Sequence, residues 1–113
     1  MSKFLYLFRG GDEPYAKLSP EEAQAHMQRW GDWMQQLSEK GKLIDGMPLA
    51  EHGKQVKERG NTIIDGPFTE GKEVVGGYLL VNSKDIDEAV ELSKACPIFE
   101  IGGEIEVRET MDM

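Results

Sequence analysis

The sequence predicts an α+β domain: a mainly antiparallel sheet carrying two helices. Three observations predict it. Short apolar runs bounded by glycine, proline and asparagine recur along the chain and read as strands. Two stretches instead place apolar residues at helical spacing behind good N-caps. The length of 113 residues suits one domain with a single core.

Taken in order, residues 3–9 are apolar and aromatic at successive positions, as in a strand buried on both faces. Gly10-Gly11-Asp12-Glu13-Pro14 ends that strand as a loop. Ser19 is then a good N-cap, with Pro20 at the first helical position and Glu22 completing a capping box. Ala23, Met27, Trp30, Met34 and Leu37 form one helical stripe, and Gly41 is placed to end the helix. Lys42 to Leu49 reads as a short strand, with Pro48 marking an edge or a bulge. Residues 50–54 are turn-like, and Gln55 to Ile64 reads as the next strand, bent near Gly60-Asn61. Residues 74–82 are the clearest strand, although Gly76-Gly77 suggests a bulge or the close approach of a ligand. A second helix starts near Ser83 or Asp85, with Ile86, Ala89, Val90 and Ser93 inward, and stops before Pro97. Glu104 to Arg108 is a last strand, in which Ile105 and Val107 alternate with charged residues. The order β-α-β-β-β-α-β is ferredoxin-like with one extra or split strand. With both helices on one sheet face, the apolar second face of the first strand needs a cover, and a second copy of the chain would supply it.

Composition excludes several classes. Hydrophobic residues make up 39% and charged residues 30%, as in globular proteins. Thirteen basic against twenty-one acidic residues give a net charge of −8, without the basic footprint that nucleic acids require. No run approaches the roughly 18 apolar residues of a membrane span. The short apolar N-terminus has no signal-peptide cleavage site, and a single cysteine, Cys96, excludes an internal disulfide. A cytoplasmic location is expected. His26 and His52 are the only histidines and no ligand cluster surrounds either, so no metal is expected. Neither nucleotide-binding glycine motif is present, so no cofactor is expected.

The candidate site centres on residues 65–73, Asp65-Gly66-Pro67-Phe68-Thr69-Glu70-Gly71-Lys72-Glu73. Nine residues exceed what a hairpin needs, and loops held on a rigid scaffold carry function. Asp65, Phe68, Glu70 and Lys72 are therefore candidate ligand contacts, although a capped turn, a core plug and a surface ion pair account for them more simply. His26 lies about 60° to one side of the helical stripe, where an acid–base imidazole or a hydrogen-bonded boundary histidine would sit. Trp33 shares that flank and is the better pocket wall, whereas Trp30, near the stripe centre, reads as core. Tyr78 could present its hydroxyl to the same cleft. Asp12 or Asp65 could orient the imidazole.

These residues resemble the YCII-related family, in its DGPF-domain subgroup. The resemblance is carried by Asp65-Gly66-Pro67-Phe68 with Glu70, Lys72, Glu73 and Gly76-Gly77-Tyr78, by the run from His26 to Met34 with Gly41-Lys42-Leu43, and by the stretch from Asp85 to Pro97. It implies a dimeric α+β barrel of two ferredoxin-like sheets. It also implies a His–Asp pair that falls on His26 and Asp12, and a branch similar to a dehydrochlorinase of a chlorinated hydroxyquinol. Two functions follow as expectations. One is a small cofactor-free enzyme using His26 and a carboxylate for elimination or isomerisation of a small organic substrate. The other is a non-catalytic ligand-binding or regulatory interaction module.

Overall fold

Strand β1 (Ser2–Arg9) alternates buried Phe4, Tyr6 and Phe8 with half-buried Leu5 and Leu7. It therefore has two apolar faces, one packed under the helices and one turned away from them. The structure, a computed structural model, describes residues 2–50, 52–65 and 75–111. Gly10 and Gly11 follow at φ 77° and 86°, a left-handed corner that L side chains disfavour. A Cβ on Gly11 would also lie 2.8 Å from Ile101 Cδ1, so the corner requires glycine. The stretch expected as a loop forms instead a short helix, α1 (Asp12–Ala16), whose first turn carries Asp12 and Glu13. Carboxylates suit the positive end of a helix.

Helix α2 (Pro20–Glu39) starts on the expected capping box. The Ser19 hydroxyl accepts from the Glu22 amide at 3.1 Å, and the Ser19 amide donates to Glu22 Oε1 at 3.0 Å. Its end is a Schellman motif: Lys42 N donates to Leu37 O at 2.8 Å and Gly41 N to Ser38 O at 3.0 Å, with Gly41 at φ 70°. The buried face is His26, Trp33 and Leu37, with Trp30 and Met34 packed beside it. Met27, expected on the stripe, is exposed. The helix is thus rolled toward His26 because Trp33 stacks on Tyr6, with ring centroids 6.2 Å apart. A buried aromatic contributes more apolar area than a methionine would.

Strand β2 (Leu43–Pro48) is an edge strand that tolerates Pro48 at its last position. The expected single strand 55–64 is a hairpin, β3 (Lys54–Lys57) paired with β4 (Thr62–Asp65). Glu58, Arg59 and Gly60 all have positive φ, which reverses the chain rather than bending it. The hairpin packs mainly on itself, with Val56 and Ile63 paired and each more than half exposed. Strand β5 (Val75–Ser83) buries Gly77, Leu79, Val81 and Ser83 on the helix side. Its pairing with β1 skips Gly76, the irregularity that the double glycine suggested. Helix α3 (Ile86–Ser93) is capped by Asp85, which accepts from the Glu88 amide at 2.8 Å. Ala89 and Ser93 face inward, while Ile86 and Val90 lie on the exposed flank. A 3-10 turn (Pro97–Ile101) and β6 (Glu104–Glu109) complete the chain.

The four-stranded sheet runs β2-β5-β1-β6 with antiparallel pairing throughout. Setting aside the β3–β4 insertion, this is the ferredoxin-like order. The core lies between the sheet and α2 and α3, where the Tyr6 hydroxyl donates to Ala89 O and Trp33 Nε1 to Leu92 O at 3.0 Å. Cys96 is buried there, and burial pushes its thiol up to about 12. That makes it a small hydrophobe rather than a nucleophile. Among the described residues, no helix is long and apolar enough to cross a membrane.

Candidate active site

A cavity of about 540 Å³ opens between the N-terminal half of α2, α1, the 3-10 turn and the end of the sheet where β2 and β5 meet. That size is typical of small-molecule sites. Its walls are mostly apolar, from Phe8, Trp30, Met34 and Ile101, with His26 and Asp12 among its polar members. Gly76 and Gly77 line it as bare backbone, so the double glycine lowers one wall.

His26 is the polar centre. It is only 2% exposed, yet both ring nitrogens have partners. Nδ1 lies 3.2 Å from Glu100 Oε2, and Trp30 Nε1 lies 2.9 Å from Nε2. Glu100 is also gripped by Arg29, whose Nε donates to both carboxylate oxygens at 3.0 and 2.9 Å and whose terminal nitrogen reaches Oε2 at 2.9 Å. The Arg29 hydrogen bonds hold the Glu100 carboxyl below its ordinary range, with a smaller contribution from His26. One turn of α2 supplies His26, Arg29 and Trp30, and the 3-10 turn brings Glu100 across to them. Glu100 is 46% exposed, so this is a rim carboxylate holding a buried imidazole.

The carboxylate on the imidazole is thus Glu100, where Asp12 or Asp65 was expected. Asp12 lines the cavity from α1, but the carboxylate within hydrogen-bond distance of Nδ1 is that of Glu100. The side chain of Asp65 lies outside the described residues, as do Phe68, Glu70 and Lys72. The two tryptophans exchange roles. Trp33, 4% exposed and bonded to Leu92, is core, whereas Trp30 lines the cavity and touches the histidine. The roll of α2 that buries Trp33 on Tyr6 turns Trp30 toward the cleft. Tyr78 meets the cavity where β5 crosses it, but strand alternation sets its side chain opposite Leu79, beside Leu7 on the helix-free face. Tyr15, also on the cavity wall, has its ring centroid 5.8 Å from that of His26.

Glu100 had a readable signal. It is the lone charge in the apolar run Ala95-Cys96-Pro97-Ile98-Phe99-Glu100-Ile101, and a charge in such a run needs a partner. Among the described residues, no group of three His, Cys, Asp or Glu side chains is placed to hold a metal ion.

A ferredoxin-like α+β domain with a histidine–carboxylate pair on the wall of an apolar cleft is the class these features define. The chain belongs to the YCII-related family, whose domain description matches residues 4–113. No curated protein sequence matches it. In three dimensions it is similar to the 5-chloro-2-hydroxyhydroquinone dehydrochlorinase (TftG) from Burkholderia phenoliruptrix AC1100, in complex with 2,5-dihydroxybenzoquinone. The TM-score is 0.53 at 16% identity, over 100% of this chain and 96% of that one. At that identity the likeness shows the fold.

Proposed function

We propose that this protein is a small cofactor-free enzyme of the DGPF subgroup in which His26, backed by Glu100, transfers a proton in the elimination or isomerisation of a small organic substrate. The observation that carries this reading is the 3.2 Å contact between His26 Nδ1 and Glu100 at the wall of the cavity. A carboxylate on Nδ1 fixes the ring tautomer and makes Nε2 the better base. In an elimination, Nε2 would take the proton of a phenol or enol O–H. The O–H electron pair would form a C=O bond, the adjoining C=C pair would move one bond along, and the leaving group would depart with its own pair from the carbon that the moving pair reaches. Glu100 would then face an imidazolium, and the apolar walls would strengthen that attraction. The similar dehydrochlorinase fold is compatible with this reaction class.

The test is a panel of small hydroxylated and halogenated ring compounds incubated in D₂O. NMR would follow deuterium uptake, and an electrode halide release. Turnover should be lost in His26→Gln, which keeps a polar side chain in the buried position. Turnover at the wild-type rate in that variant would remove His26 from the chemistry.

A second reading is a non-catalytic ligand-binding module. The Trp30 contact on Nε2 favours it, because an occupied lone pair cannot accept a substrate proton. Binding without turnover across the panel would select it.

We also infer a homodimer. Leu5, Leu7 and Leu80 form a half-buried apolar patch on the helix-free sheet face, and the β3–β4 hairpin exposes Val56 and Ile63. The radius of gyration is 15.5 Å, against about 13 Å for a compact chain of this length. Light scattering at the 12.7 kDa monomer mass would refute the dimer.

A further inference from the structure

The imidazole on which the proposed chemistry rests is engaged at both ring nitrogens. An indole N–H can only donate a hydrogen bond. Trp30 Nε1, 2.9 Å from His26 Nε2, therefore requires a lone pair on that nitrogen. The ring proton is then on Nδ1, facing the Glu100 carboxylate at 3.2 Å. Each contact supports the other, and together they fix one tautomer of a ring that is almost fully buried.

The cost of that arrangement is access. Nε2 is the nitrogen an acid–base role would use, and the side chain covering it is itself part of the cavity wall. Trp30 follows His26 by four residues on α2, so one turn of helix places the cover over the base. The cover is less firmly held than its neighbour. The indole of Trp30 makes edge contacts with Phe8 at 5.2 Å and Trp33 at 5.8 Å between ring centroids, and among the described residues its hydrogen-bond partner is the histidine. Trp33, by contrast, is buried and tied to the Leu92 carbonyl.

We propose that Trp30 is a latch over His26: its N–H occupies Nε2, and a ligand reaches that nitrogen by replacing the indole N–H with a donor hydrogen of its own. This rests on the reading of His26 as the acid–base group, and it adds a ligand class to that reading. The ligand must bring an O–H or N–H to Nε2, as a phenol, an enol or an amide does. A carboxylate brings a lone pair to a lone pair, and Asp12 on the wall repels its charge, while that of Glu100 behind the ring is taken up by Arg29. The site therefore selects neutral donors over anions. Trp30 is a positioning residue, acting through His26.

The experiment is NMR on protein labelled with ¹⁵N. In the wild type, the His26 nitrogens should report a protonated Nδ1 and an unprotonated Nε2; a proton on Nε2 overturns the latch, and no variant is needed to see it. The two tryptophans give two indole N–H signals, the one missing in Trp30→Phe being that of the latch. Should that variant not fold, proximity of an indole proton to the His26 ring makes the assignment. Phenol should move the Trp30 signal and leave that of Trp33 in place, whereas benzoate should move neither. With the latch removed, phenol should bind Trp30→Phe more tightly by about threefold or more, because no fraction of the protein is closed against it. Equal responses to phenol and benzoate, or a Trp30 signal indifferent to phenol up to its solubility limit, overturn the proposal. A latch that behaves as described in a protein that turns nothing over keeps this inference and removes the catalytic one. Turnover that depends on His26, with the proton on Nε2, does the reverse.

Discussion

Two carboxylates among the described residues are each gripped by a cation and by other donors, and one of them holds a histidine that lines the cavity. At the start of α3, Glu88 accepts from Lys42 Nζ at 2.9 Å, from the Ser83 hydroxyl at 3.1 Å and from the Lys84 amide at 3.2 Å. Across the molecule, Glu100 accepts from Arg29 and meets His26. Both carboxyl groups are held below their ordinary range. The Glu88 cluster joins the end of α2 and the start of β2 to the cap of α3 through an ammonium, a hydroxyl and a backbone amide. The Glu100 cluster contains an imidazole, the side chain that changes charge near neutrality. A lowered carboxylate therefore marks a junction in one place and a candidate site in the other, and the neighbours decide which.

The sharpest way to break this comparison is to remove the imidazole. If the Glu100 cluster is catalytic, His26→Gln should lower turnover by about 10²–10⁴-fold, the usual range for a general acid–base group. Circular dichroism would confirm that the fold is retained. The paired substitutions Glu100→Gln and Glu88→Gln should then separate the two clusters. Glu100→Gln should cut turnover substantially and move Tm little, because a half-exposed carboxylate contributes little to stability. Glu88→Gln should leave turnover intact and lower Tm by several degrees, since it weakens three contacts at once. The opposite pattern would exchange the roles assigned here.

Acid should act on the junction in a stated window. Hydrogen bonds from Lys42 and the Lys84 amide hold Glu88 at about 2, against an ordinary 4.5. A depressed folded value means that the unfolded chain binds the proton first as pH falls. The stabilisation is complete above about 4.5 and is lost as pH drops toward about 2. Thermal melts of Glu88→Gln should therefore be flatter across that window than those of wild type. Glu100 acts in the same direction, its stabilisation also fading as pH falls below the ordinary carboxylate range.

Much of the frame was legible in the sequence because local chemistry writes it. Ser19, Pro20 and Glu22 specified the start of α2, Gly41 its end and Asp85 the cap of α3, each through contacts within a few residues. His26 was legible as a candidate for the same reason: helical spacing put it beside the stripe. What failed was long-range. The roll of α2 depends on Trp33 meeting Tyr6, and the partner of His26 sits 74 positions away on a turn with no helix or strand pattern. The hairpin was missed because positive φ at Glu58 and Arg59, residues that rarely adopt it, has no compositional sign. Residues 65–73 were read as the site's loop on their length, their turn residues and the family resemblance, and apart from the backbone of Asp65 they lie outside the described residues.

The finest discrimination between the two clusters lies in their cations. Lys42 is 16% exposed and Arg29 is 49% exposed. Solvent screens the Arg29 pair, so Arg29→Met should change stability by no more than about 1 kcal/mol. Lys42→Met should cost more, because it strands Glu88 among neutral donors at a partly buried junction. The functional consequence should run the other way. Without Arg29, the Glu100 carboxylate keeps only the imidazole and is freer to rotate, so turnover should fall severalfold although the protein is as stable as before. Arg29→Lys should restore part of it, since an ammonium returns the charge without the guanidinium fork. Urea melts and turnover on the same four proteins decide the matter. If both methionine variants lose stability equally and neither loses activity, Glu100 is a second junction like Glu88, and the cavity beside it is a gap in packing.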